Sequence, residues 1–279
     1  MENKEETKKV EDKKEIVEEQ LTPEQAAKKM EEIVETKETE EDVRLKEEAI
    51  KKEEKKDRET VEKEQRIADW VPKTQLGRDV LAGKVTSVDE ILDSGRAIME
   101  DEIIDYLLNV RTELLNIGQA KGKFGGGKRR GWKQTQKKTR EGNKLTFSVM
   151  AVIGDEDGHV GLGIGRASET FPAKEKAIRR AKKNIMKIKR GCASYDCLCH
   201  ELHSIPSETR GKCSSYEITL KPAPQGSGLV VGDELKKILK LAGIKDVYGK
   251  SSGKTRTTMN VGKACLAALE NLNRMELKW

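Results

Sequence analysis

The amino-acid sequence predicts an α+β protein of two small domains behind a charged tail, and three observations carry that prediction. Charge is segregated: residues 1 to 66 hold 24 acidic and 17 basic side chains without a glycine or an aromatic, whereas the other 213 of the 279 residues hold 38 basic and 25 acidic. An alternating, strand-like hairpin followed by a helical stripe makes residues 119 to 190 one unit. Residues 191 to 279 run strand, helix, strand, helix, which describes a second. The segments are thus a tail over 1–66, a helical lead-in over 67–118, and domains over 119–190 and 191–279.

A tail so charged cannot bury a core and is expected to be mostly disordered or partly helical. Its apolar residues, such as Ile16, Leu21, Ile33 and Leu45, are too sparse for a sustained heptad seam. Glu47 with Lys51, Glu48 with Lys52 and Glu59 with Lys63 put an acid four residues before a base, which favours local helix. No run approaches the roughly 18 apolar residues that crossing a bilayer requires, so no membrane role is expected. Met1 to Glu15 shows no apolar signal region. Five cysteines, an odd number, suit reduced thiols in a cytoplasmic protein better than a disulfide scaffold. The net +13 on the body points to a polyanion such as RNA, whose condensed counterions Lys and Arg displace.

Order is expected to begin near Trp70, beside Val71 and Pro72. Ser87 and Glu90 have the spacing of a capping box ahead of Ile91, and Ile103, Ile104, Leu107, Leu108 and Val110 recur at helical spacing. From Gln119 to Lys144 the chain holds ten Lys or Arg, six Gly and one acid. Within it GGGKRRGW, with Lys128, Arg129, Arg130 and Trp132, reads as a basic loop with one stacking ring. A weak strand from Lys133 to Lys138, a turn from Arg140 to Lys144 and the run LTFSVMAVI follow, the last placing Phe147, Val149, Ala151 and Ile153 on one face. After the turn Gly154 to Gly158, HVGLGIGRA sets Val160, Leu162 and Ile164 against Gly161, Gly163 and Gly165. A strand face without side chains marks close approach of another backbone, either a partner's or that of the next helix.

Pro172 suits a first helical turn, and Ala177, Ala181, Ile185 and Ile188 form a stripe to Lys189. Nine cations, Lys174, Lys176, Arg179, Arg180, Lys182, Lys183, Lys187, Lys189 and Arg190, surround it against Glu175 alone, which favours phosphate contact over simple solvation. Cys192, Cys197, Cys199 and Cys213 then come interleaved with His200 and His203. They could enclose a tetrahedral structural zinc, with either histidine as a substitute ligand, or could be reduced thiols with incidental histidines. Tyr216, Ile218 and Leu220 alternate as a strand, PAPQGSG is a loop, and Asp233 to Leu241 a helix ended by Gly243. A strand over Ile244 to Tyr248, the polar loop SSGKTRTT and a helix from about Asn260 to Leu272 complete the chain.

Enzyme motifs fail on spacing. Gly161, Gly163 and Gly165 lack the third dinucleotide-binding glycine, and Gly249 stands one residue too close to Gly253-Lys254-Thr255 for a phosphate-cradling loop. Asp155 and Asp157 lack the rest of a calcium loop.

The strings WVPKTQLGR, VIGDEDGHVGLGIGRASE, AKEKAIRRAKKNIMKIKRGC, HSIPSETRGKC and LKPAPQGSGLVVGDELKKILKLAGIKDVYGKSSGKTRTTMN resemble the small-subunit ribosomal protein five family. The segment RGCASYDCLCHELHSIP is similar to its archaeal branch. The resemblance implies a double-stranded-RNA-binding-like βββα domain followed by a βαβα domain with a left-handed crossover. It implies a non-enzymatic ribosomal component that needs no cofactor, binds ribosomal RNA in the small-subunit body, and supports decoding accuracy near the incoming messenger RNA. Ribosomal proteins four and eight, and also two and three, would be its neighbours. RNA contact would fall on Arg140 to Lys144, Gly161 to Arg166 and the cations from Lys174 to Arg190. Pro222, Gly226, Gly228, Thr255, Arg256 and Thr257 match motifs of the family's protein- and RNA-facing surface. The stretch Gln119 to Trp132 and the tail depart from the pattern and inherit no role. The rival readings are a small-molecule kinase using PAPQGSG as a phosphate loop, and a free-standing RNA-binding regulator.

Overall fold

Among the described residues, short helices, two sheets and two long helices make up the fold. The computed structural model describes residues 65–119, 129–192, 197, 199 and 201–274. The tail up to residue 64, the loop 120–128 with Lys128, and His200 lie outside the described residues, as do the expectations made for them. Residues 67 to 279 form one compact unit.

The lead-in contains α1 (Gln75–Leu81), α2 (Val88–Asp93) and α3 (Glu102–Leu107). Thr74 caps α1 by accepting from the Gly77 amide, and Ser87 caps α2 by accepting from that of Glu90, as the capping-box spacing predicts. Leu108 turns to extended backbone, so α3 ends early. The chain then enters a strand, β1 (Arg111–Leu114), which the expected helical lead-in did not include. Glu100 ties the entrance together, accepting from Trp70 Nε1 at 2.9 Å, from the Lys73 amide at 2.9 Å and from the Thr74 amide at 2.6 Å. Burial pushes its carboxyl up, but these hydrogen bonds outweigh that and hold it below the usual value.

The first sheet contains β1, β2 (Trp132–Thr139), β3 (Gly142–Gly154), β4 (His159–Ala167) and β5 (Ile185–Lys187). β3 is long enough to pair with β2 along its outer part, Trp132 opposite Val149, and with β1 at its inner end, Leu114 opposite Ala151. Both faces of the inner half of β3 are covered. Phe147, Val149 and Ala151 pack on α4 (Thr170–Lys183), while Met150 and Val152 join a core shared with the C-terminal half. Alternation alone exposed only the first of these faces. The helix ends at Lys183, six residues before the expected Lys189, because Ile185 to Lys187 pair with Gly161 to His159 as β5.

The second sheet has the order β6 (Thr209–Cys213), β7 (Tyr216–Pro222), β9 (Val247–Gly253), β8 (Leu229–Val230). Parallel β8 and β9 are joined through α5 (Asp233–Leu241), which buries Leu235, Ile238, Leu239 and Leu241. β9 begins three residues later than expected and takes in Ser251 to Gly253 of the predicted polar loop, since these pair with β7. α6 (Thr258–Arg274) covers the sheet with Val261, Ala264, Cys265, Ala268, Leu269 and Leu272. The halves are joined by the shared core and by polar ties: the Asn116 amide donates to Glu234 at 2.8 Å, and Lys237 Nζ donates to the Leu114 carbonyl at 3.0 Å.

Candidate nucleic-acid interface and a cysteine cluster

The outer part of the β2–β3 pair is a two-stranded ribbon whose side chains on β2 are almost all exposed. It carries Lys133, Lys137, Lys138, Arg140 and Lys144, with Glu141 as the acid at its turn, 3.4 Å from Lys144. At the ribbon's base Arg130 stacks over the half-exposed Trp132 ring, 5.7 Å from its centre. Arg129 and Lys133 share a cleft of about 400 Å³ with Arg256 and Thr257 from the β9–α6 connection. Two basic stretches far apart in sequence are therefore neighbours, as only the fold could reveal. Thr255 and Arg256 are exposed in that connection, and Arg166 is exposed at the outer end of β4.

On α4, Lys174, Lys176, Arg179, Arg180 and Lys183 face outward. Arg180 also donates to the Ile164 carbonyl at 2.7 Å, which fixes its direction. Lys183 also lies 4.0 Å from Asp101. The four remaining predicted cations are engaged within the protein, Lys189 through the Asn273 carbonyl at 3.1 Å. Lys182 is buried and meets Asp105 at 2.5 Å; Lys187 lies 2.8 Å from Asp89; Arg190 binds Asp157, at 2.5 Å to the carboxylate and 2.7 Å to the carbonyl. Their acids come from other elements, so counting charge along the helix overstated the free cations. The reading of Gly161, Gly163 and Gly165 as an RNA-approach surface is also corrected. A Cβ at each would run into the backbone carbonyl of Ala181, Ala177 or Ala173, so the close approach is that of α4 itself. Sequence reasoning left Lys137 and Lys138 unassigned, although their place on a strand between basic neighbours was visible.

A network of different character joins the lead-in to the first sheet. His159 Nδ1 meets Asp155 at 2.5 Å and its Nε2 meets Asp89 at 2.9 Å, the same carboxylate that pairs with Lys187. The hydrogen bond that His159 donates to Asp155, opposed by burial and reinforced by Asp89, raises the His159 value. Lys187 holds Asp89 low, and Asp155 is also low because its hydrogen bonds outweigh burial.

The cysteines gather, with one exchange. The thiols of Cys192, Cys197 and Cys199 and a ring nitrogen of His203 all lie within 4.8 Å of one another. Cys213, the expected fourth member, sits instead at the end of β6 opposite Tyr216, because that strand pairing fixes it elsewhere. Hydrogen bonding between the thiols holds Cys197 down to about 6 and pushes Cys199 up to about 11. Cys265, alone in the core of α6, is pushed up to about 12 by burial.

Known proteins resemble the chain over most of this unit. Residues 131–189 match the family described as ribosomal protein S5, N-terminal domain, and residues 211–279 match ribosomal protein S5, C-terminal domain. The small ribosomal subunit protein uS5 of Nanoarchaeum equitans is 49% identical over 213 residues, 76% of this chain and 91% of that protein. The proteins of the same name from Staphylothermus marinus and Thermoplasma acidophilum are 44% and 43% identical, over 76% and 75% of this chain and 92% and 88% of theirs.

Proposed function

Because the chain belongs to the ribosomal protein S5 family, whose members are structural components of the small ribosomal subunit and not enzymes, we propose that it binds ribosomal RNA in the body of that subunit. It acts there in cytoplasmic ribosomes, near the incoming messenger, where it supports decoding accuracy beside ribosomal proteins four, eight, two and three. The observation that carries the reading is the exposed ribbon from Lys133 to Lys144, with five cations against Glu141 alone, standing beside Arg129 and Arg256. Double-stranded RNA is recognised through phosphates, 2′-hydroxyls and shape, and a narrow ribbon lined with long cationic side chains can follow such a surface without reading bases. The outward cations of α4 supply a second phosphate-facing row.

The test is the salt dependence of binding to a structured fragment of small-subunit ribosomal RNA. Each phosphate contact contributes about 0.7–0.9 to the slope of log affinity against log salt, so replacing Lys133, Lys137, Lys138 and Arg140 with Ala should lower the slope by about 3. An unchanged slope with correctly folded protein would remove the ribbon from the interface.

A further inference from the structure

We propose that Cys192, Cys197, Cys199 and His203 hold a structural zinc ion that locks the connection between the two halves of the body. The loop is closed at its base, where Gly191 and Ser204 exchange backbone hydrogen bonds of 2.9 and 3.0 Å. Within it the donors follow the pattern Cys-x4-Cys-x-Cys-x3-His. Zinc takes thiolate at about 2.3 Å and imidazole at about 2.0–2.1 Å, which puts neighbouring ligand atoms of a tetrahedron a little under 4 Å apart. A group whose donors already lie within 4.8 Å of one another needs only small side-chain adjustments to reach that. Three soft thiolates with one imidazole suit zinc, whereas hard cations prefer oxygen.

His203 is the built part of the site. Its side chain is 1% exposed, and its carbonyl accepts from the Lys245 and Asp246 amides at 2.8 and 3.1 Å. Nε2 faces the cluster, 3.5 Å from Cys197 Sγ. Nδ1 is 2.8 Å from an Asp246 carboxylate oxygen but is not aligned to hydrogen-bond with it. A buried imidazole with an unsatisfied nitrogen is costly. Ligation through Nε2, with Nδ1–H turned to Asp246, satisfies both nitrogens in the manner of carboxylate–histidine–metal relays. Asp246 is held for that task, buried and accepting from the Gly228 amide at 2.8 Å. Ser204, beside the histidine, donates to the Asp246 carbonyl at 2.6 Å and accepts from the Ala223 amide at 3.3 Å. Four protein ligands leave no position for a substrate, so the ion would brace the fold. The inference stands apart from the RNA reading and uses none of its residues.

Metal content of the full chain, purified without chelator, tests it. One zinc per chain is expected in the native protein, in Cys213→Ser and in His203→Cys, which exchanges one zinc ligand for another. Cys197→Ser combined with Cys199→Ser should fall to background. Because that variant could lose its fold, the native protein supplies a second reading: displacing the zinc with a chromogenic chelator should unmask three thiols for each ion released. Native protein at background zinc that also fails to give the visible bands of tetrahedral thiolate-bound cobalt(II) would overturn the proposal. So would loss of metal in Cys213→Ser, or an unreduced mass showing a disulfide between Cys197 and Cys199, whose sulfurs lie 2.8 Å apart.

Discussion

Individual glycines and one histidine decide more of this structure than their number suggests. Gly161, Gly163 and Gly165 repeat every two strand residues, about 6.6 Å, while Ala181, Ala177 and Ala173 repeat every four helical residues, about 6 Å. The two rulers nearly coincide, so α4 can lie directly on β4 along three contacts in succession. Gly211 of β6 receives Ala264 and Ala268 of α6 in the same way. Gly163→Ala would therefore force strand and helix apart. We expect a loss of about 1–3 kcal/mol, the usual range for overpacking, measured by denaturant unfolding; no loss would mean that the helix can shift freely. His159 is expected to govern stability near neutral pH. Its folded value is raised, so its contribution is complete below the unfolded value of about 6.5 and is lost as pH rises through the folded value. Asp89 and Asp155 are lowered, so theirs is present above the ordinary carboxylate value and lost as pH falls through the folded values. Unfolding free energy should fall on the alkaline side for the native protein and fall less for His159→Gln. Parallel curves would dissociate the histidine from that limb.

Among the elements, α4 separates two kinds of cation that the sequence presents alike. Lys182→Ala removes one partner of a buried pair and should destabilise by about 3–5 kcal/mol while leaving the salt slope of RNA binding unchanged in the folded protein. Arg179→Ala with Arg180→Ala should do the reverse, weakening RNA binding with little effect on unfolding. If Lys182→Ala changed the slope instead, the buried pair would not persist in solution. The hairpin, the cap at Ser87 and the helix Asp233–Leu241 were legible beforehand because their signals are local. What escaped was set by distant partners. Ile185 to Lys187 continue a helical stripe in sequence, yet they complete a sheet edge beside β4. Arg111 to Leu114 become a strand only because β3 has an unpaired inner end. The site followed the same division: the ribbon's charge was readable, whereas the pairing of Lys182, Lys187 and Arg190 with Asp105, Asp89 and Asp157 was set by residues elsewhere in the chain. His203 displaced Cys213 for a like reason, since strand pairing holds Cys213 away.

For the whole molecule, a shared core under both sheets makes the body a single support for two basic surfaces, the ribbon with its Arg129–Arg256 cleft and the outer row of α4. A support of this kind gains most from many shallow phosphate contacts, each weak in salt alone and strong together. That predicts tenacious assembly and no turnover chemistry. The most direct measurement is sedimentation of cell extract through a sucrose gradient in magnesium, before and after a high-salt wash, comparing the native chain with the Lys133, Lys137, Lys138 and Arg140 to Ala variant. The native chain should travel with the small subunit at one copy each and survive the wash, and the variant should be stripped. Recovery of the native chain in the light fractions would contradict the assignment as an integral ribosomal component.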